Sequence, residues 1–153
     1  MRVAELLVVI AHLLLAAGWL GAMAYSLAVV QPRLVAFHGG PAEAEEAATY
    51  VAAGARWKVV SLLVALGTTG AGLVLLERDG RSGAWWALVA VKATLLLVAA
   101  GVFVRVSWRM WPRRLFATPD EVPRHRADFT RAGAALIGLT GTATVLGVAL
   151  RYV

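Results

Sequence analysis

Ala11-His12-Leu13-Leu14-Leu15-Ala16-Ala17-Gly18-Trp19-Leu20-Gly21 is the stretch on which the fold turns. It lies within an apolar run from about Val3 to Val30, broken by Glu5 near its start and by His12 within it. About twenty apolar residues take a helix across a bilayer, where each backbone N–H and C=O must find its partner inside the segment. The run therefore predicts a membrane span. At about 100° per residue, Glu5, His12, Trp19, Met23 and Ser26 fall on one narrow stripe of that helix. An imidazole in hydrocarbon is costly, so His12 marks either a functional site or a buried contact between helices.

The rest of the chain has the same character. Its 153 residues are 60% hydrophobic, with a mean hydropathy of +0.73, too apolar for an ordinary soluble domain. Apolar runs at about 3–30, 59–76, 85–106 and 132–153 each suit a spanning helix, and none alternates as a barrel strand would. The expected fold is all-α and integral to the membrane: one four-helix domain running up-down-up-down over residues 1–153. Pro32 is expected to end or bend the first helix. Within the first connection, Pro41-Ala-Glu-Ala-Glu-Glu-Ala-Ala-Thr-Tyr-Val51 reads as a short amphipathic helix at the membrane surface, with Pro at its start and acids in its first turn. Glu77-Arg-Asp-Gly-Arg-Ser-Gly83 is a tight polar turn, and 105–131 a long arginine-rich connection with three prolines.

Charge sets the orientation. Arg2, Arg78, Arg81 and Arg151 fall on one side, against ten Lys and Arg on the other, among them Arg33, Arg56, Arg113, Arg114 and Arg126. Positive charge gathers in cytoplasmic loops, so both termini are expected outside and the long connections inside a cytoplasmic membrane. The net charge of +6 is then an orientation signal, with anionic lipid as its sharper reading, and no nucleic-acid partner is expected. The chain has no cysteine, which excludes disulfides and thiolate metal sites. The first apolar run is too long for a signal-peptide core and is expected to be retained. No phosphate-cradling Gly-Lys-Ser/Thr motif or nucleophile elbow occurs, which disfavours a nucleotide enzyme or hydrolase.

With this topology, polar residues on all four helices converge in depth. At about 1.5 Å per residue, His12 lies about 12 Å and Lys92 about 11 Å below the outer ends of their helices. Thr68 and Thr69 lie about 12 Å, and Thr144 about 10 Å, below theirs. An imidazole suits copper or haem iron equally; the alternative is a core histidine bonded to a threonine or a backbone carbonyl. Met23 is about 16 Å from His12 along the stripe, too far to share a ligand shell, so it is either a second station for a soft metal or a packing residue. Lys92 has no acid in the interior of any span. Three resolutions stay open: a neutral amine, an ammonium snorkelling outward to Glu5, or one paired with an anionic ligand such as a haem propionate. The small residues and threonines of the second and fourth spans read first as close helix packing, though they would also leave room for a flat macrocycle. His38 and His125 read as solvated loop residues.

On these residues the chain resembles the CopD family of copper-resistance membrane proteins. His12-Leu-Leu-Leu-Ala-Ala-Gly-Trp19-Leu-Gly21 is similar to that family's first-helix pattern. Arg56-Trp-Lys through Thr69-Gly70 is similar to its second helix, and Trp86 through Lys92 to Arg105 and Pro112-Arg-Arg-Leu to its third. The resemblance implies copper handling in the cytoplasmic membrane with His12 as principal ligand and Glu5 and Met23 as stations above and below. Members are often larger, so a four-helix chain implies a homo-oligomer or a subunit of a larger membrane complex. The layout is also similar to the HemJ-type protoporphyrinogen oxidases, whose helix-one His and helix-three Lys would fall on His12 and Lys92; Pro32-Arg33-Leu34 with His38 echoes their Pro-Arg-Leu segment. That likeness implies haem b, with His12 axial and Lys92, Trp19, Thr68 and Thr144 around the cofactor. A small scaffold subunit is the third expectation, and enzymatic activity is expected only in the haem case.

Overall fold

The computed structural model describes residues 3–150 and Tyr152, and among these residues it is helical with no strand. Helix α1 (Val3–Tyr25) passes through one π-helical turn (Ser26–Val30) into α2 (Gln31–His38). Helix α3 (Glu45–Ala52) and α4 (Ala55–Glu77) follow. Helix α5 (Gly83–Arg105) passes through a second π turn (Val106–Met110) into α6 (Trp111–Leu115), and α7 (Val122–Ala149) completes the fold. Four continuous rods result, 3–38, 55–77, 83–115 and 122–149, all long and apolar enough to cross a membrane. Leu14, Val64, Leu97 and Val145 are each more than half exposed, one on each rod, as a lipid-facing girth requires.

Two boundaries differ from the expected spans for one physical reason. Pro32 does not end the first rod. A proline removes an N–H and crowds the preceding carbonyls, but a π turn widens the helix just before it, and the helix resumes. The Gln31 N–H reaches back to the Ser26 carbonyl, and the Trp111 N–H to that of Val106, just before Pro112. Both rods thus continue beyond their prolines, and only 116–121 of the long third connection is non-helical. Gly39, at φ +84°, stops α2 in the left-handed region that glycine enters freely, and Gly54, at φ +74°, turns the chain from α3 into α4. The first-loop helix starts at Glu45, later than the proline at 41 suggests. At the other end Ser82 caps α5, its hydroxyl accepting the Trp85 N–H at 3.2 Å.

The first and third rods repeat one another. Lys92 precedes Pro112 by as many residues as His12 precedes Pro32, the π turns match residue for residue, and Trp19 matches Ala99. Rod one packs against α4, and α5 against α7, giving two helical hairpins joined chiefly through α1 and α7. Trp19, Leu66, Ala99 and Leu136, one from each rod, form the buried centre. The matched positions hold a large indole and a small methyl, so Trp19 fills space that the fully buried Ala99 leaves.

The arginine-rich ends meet through charge. Arg114, 5% exposed, grips Glu45 of α3 with its Nε and Nη2, the latter at 2.9 Å, and stacks over Phe129 at 4.9 Å. Arg56, at the start of α4, donates to the Ser107 carbonyl at 2.6 Å and lies over the Trp108 ring.

Candidate functional site

His12 is 9% exposed, turned inward from α1 toward α4. Its Nδ1 lies 2.8 Å from the Thr69 Oγ1, and that hydroxyl lies 2.7 Å from the Ala65 carbonyl one helical turn back. The arrangement that satisfies every group has Thr69 donating to the Ala65 carbonyl and accepting the His12 Nδ1–H. In that tautomer Nε2 carries the lone pair. Anchoring one ring nitrogen while freeing the other is how a ligating histidine is oriented. Opposite the ring is Gly70, where a methyl group would come within 3.3 Å of Cε1.

Lys92 enters from α5 in the corresponding way. Its Nζ lies over Gly147 of α7, where a Cβ would stand only 2.7 Å away. Each polar side chain thus rests on a glycine of the second helix of its own hairpin, a place where any larger residue would displace it. The Lys92 amine is within electrostatic range of both His12 and Glu77, the latter at the end of α4. It forms no ion pair or hydrogen bond among the described residues; Glu77 instead pairs with Arg81 at 3.0 Å.

The remaining expected site residues divide. Thr68 is exposed and donates to the Ala65 carbonyl; its neighbour Thr69 is the one that meets His12. Thr144 donates to the Thr140 carbonyl, and Thr140 to that of Leu136, so both hydroxyls are satisfied within α7. Trp19 belongs to the packed centre, and Met23 packs beside it, away from the imidazole. Glu5 is half-buried on α1. Trp85, near the start of α5, is 2% exposed, with Arg81 over its ring at 5.4 Å. His125 borders a shallow surface depression with Pro112, Arg113 and Phe116, and His38 meets the edge of Phe37.

No group of three or more His, Cys, Asp or Glu side chains able to hold a metal occurs among the described residues. His12 supplies one imidazole nitrogen, and the Lys92 amine lies within its electrostatic range. A tightly held copper ion takes more soft or nitrogen donors than one imidazole supplies. The His12 imidazole and the Lys92 amine are also groups that would hold an iron porphyrin, the one by its iron and the other by a propionate. Compared with protein-family models, with curated proteins and with solved structures, the chain finds no match.

Proposed function

We propose that this protein is a CopD-like multi-pass protein of the cytoplasmic membrane, termini outside, in which His12 offers a passing copper ion a single station in the outer half of the bilayer. The observation that carries this reading is the Thr69 anchor, which leaves Nε2 of a buried imidazole free. Copper here is cargo. One nitrogen gives the ion a foothold, and the neighbouring Lys92 ammonium raises the energy of any ion that stays, so residence is short. Transit needs binding favourable enough to admit the ion and weak enough to release it. Further donors would come from a second copy of the chain or from another subunit, in keeping with an oligomeric assembly.

Lys92 itself favours a second reading. An ammonium within range of an oriented imidazole suits an anionic macrocycle better than a bare cation. In a b-type haem protein His12 Nε2 would hold the iron and Lys92 a propionate. Bound haem would supply one-electron chemistry; the chain would supply orientation and a dry surround.

The deciding experiment is a visible spectrum of the purified protein, followed by cuprous-ion competition against a chelator, for wild type and His12→Ala. Colourless protein that binds cuprous ion only with His12 present supports the copper reading. A Soret band lost in His12→Ala supports haem instead. A protein that takes neither, and co-purifies in fixed ratio with other subunits, is a scaffold.

A further inference from the structure

Away from His12, at the arginine-rich end, the bundle contains a second polar feature. A cleft of about 190 Å³ opens between α1, the π turns and α7. Its walls differ in kind. Met23, Leu27 and Phe129 make one part apolar, while Gln31, Arg114 and Arg126 make the other polar. Both π turns reach it, the first through Ser26 and Leu27 and the second through Val106. Such turns recur at functional sites because they distort a helix at a cost in regular hydrogen bonding.

The charges at the polar end do not balance. Glu45 faces two guanidiniums. It is fully engaged by Arg114, and Arg126 Nη1 stands 3.9 Å from its Oε2, beyond hydrogen-bond length. Arg126 Nη2 donates to the Gln31 amide oxygen at 3.2 Å. Its Nη1 is buried with no hydrogen-bond partner. A buried donor on a charged group is costly to leave without a hydrogen bond, and Nη1, held only by the longer charge contact to Glu45, is a donor for an oxyanion. The cleft is smaller than the roughly 300–1,000 Å³ of sites for drug-sized ligands. It therefore suits a phosphate and the first atoms attached to it rather than a macrocycle.

We propose that this cleft binds the phosphate of an anionic phospholipid, with Arg126 Nη1 as its principal donor and the start of the lipid's apolar part against Leu27 and Phe129. The site is independent of the metal reading at His12. Its amphipathic lining favours a lipid phosphate over a free one, because an inorganic ion would use only the polar end. Bound there, a lipid would bridge α1 and α7, the pair through which the two hairpins are chiefly joined.

The test uses the full chain, delipidated in detergent, with phosphatidylglycerol and phosphatidylcholine of identical acyl chains followed by native mass spectrometry. Wild type is expected to retain phosphatidylglycerol in preference, and Arg126→Gln to lose that preference by about tenfold or more. Arg126→Lys should keep part of it, as a point charge without the planar fork. Arg109→Gln, an exposed arginine at the same end, should leave it intact. Equal retention by wild type and Arg126→Gln overturns the proposal. So does stabilisation of wild type by inorganic phosphate with no preference between the two lipids, which would make this a free-phosphate site. A photoactivatable phosphatidylglycerol on the wild type gives a readout independent of variant folding: crosslinks to 23–31 and 126–133 support the site, and crosslinks confined elsewhere overturn it.

Discussion

Arg56 completes a hydrogen bond that Pro112 cannot make. In the second π turn the Trp111 N–H is given to Val106, and Pro112, next in line, has no N–H for the Ser107 carbonyl. Arg56 reaches from α4 to fill that vacancy at 2.6 Å, with its guanidinium 4.9 Å from the centre of the Trp108 ring. Removing it leaves a buried carbonyl unpaired and an aromatic face uncovered. Arg56→Ala should cost about 2–3 kcal/mol of stability, combining a charged hydrogen bond with a cation–π contact. In a Pro112→Ala background, where the new N–H can serve Ser107, the same change should cost markedly less. Thermal unfolding of the four proteins in detergent measures this coupling; strictly additive losses would contradict the account.

The His12–Thr69 bond makes a similar claim about the other polar pair. Thr69→Val keeps the shape and deletes the acceptor, leaving the His12 Nδ1–H without a partner. Between helices in a membrane such a bond is worth about 1 kcal/mol, and leaving a donor stranded adds to that. Thr69→Val is therefore expected to lower the melting temperature. The double change Thr69→Val with His12→Leu, which removes both polar groups, should recover most of the loss. A Thr68→Val control should do little, because that hydroxyl is exposed and serves only its own helix. A destabilisation equal to that of Thr69→Val would place the His12 contact on the wrong threonine.

How far the sequence reveals this architecture depends on whether a residue acts within its own helix. The four apolar runs are legible because bilayer length is a local property, and His12 and Lys92 stand out because charge in such runs is rare. Rod ends are less legible: Pro32 reads as an end or a bend and Pro112 as part of a connection, and nothing local announces that a π turn absorbs them. Thr68 and Thr69 lie at nearly one depth but about 100° apart around the helix, so only packing against α1 selects between them. Arg114 and Arg126 read as part of an orientation signal, yet they meet Glu45 from distant parts of the chain. One further signal does lie in the residue order. The equal spacing from His12 to Pro32 and from Lys92 to Pro112 is an internal repeat, and it marks the two polar residues as counterparts on their rods.

The Glu45–Arg114 clamp should behave as a buried pair rather than a surface one, since Arg114 keeps 4% and Glu45 19% of its side-chain surface exposed. Breaking such a pair strands a charge and costs about 3–5 kcal/mol. Arg114→Leu leaves Glu45 with only the more distant Arg126, and Glu45→Gln leaves two guanidiniums facing one neutral amide. Each single variant is expected to be strongly destabilised and to release α3, read as faster proteolysis within 39–54. Arg114→Leu combined with Glu45→Leu should be milder than the sum of the two. Single variants that melt with wild type would show the pair to be solvated.

At the start of α7, acid should loosen a turn that is closed at neutral pH. The Glu121 carboxylate accepts the Thr118 backbone N–H at 3.0 Å, and that bond is the main reason its carboxyl is held below the ordinary glutamate range. A depressed folded value means the unfolded chain takes up a proton first as pH falls. The contribution is therefore fully present above the ordinary glutamate range and disappears as pH drops through the lowered value. Glu121 is wholly solvent-exposed, so the effect is local: fraying of 118–122, with the rods unmoved. Amide exchange at Thr118, corrected for its intrinsic pH dependence, should show protection falling between neutral and strongly acidic pH in wild type. In Glu121→Gln, whose side chain cannot ionise, protection should be low and flat across the same range. An equally pH-dependent profile in that variant would assign the titration to another group.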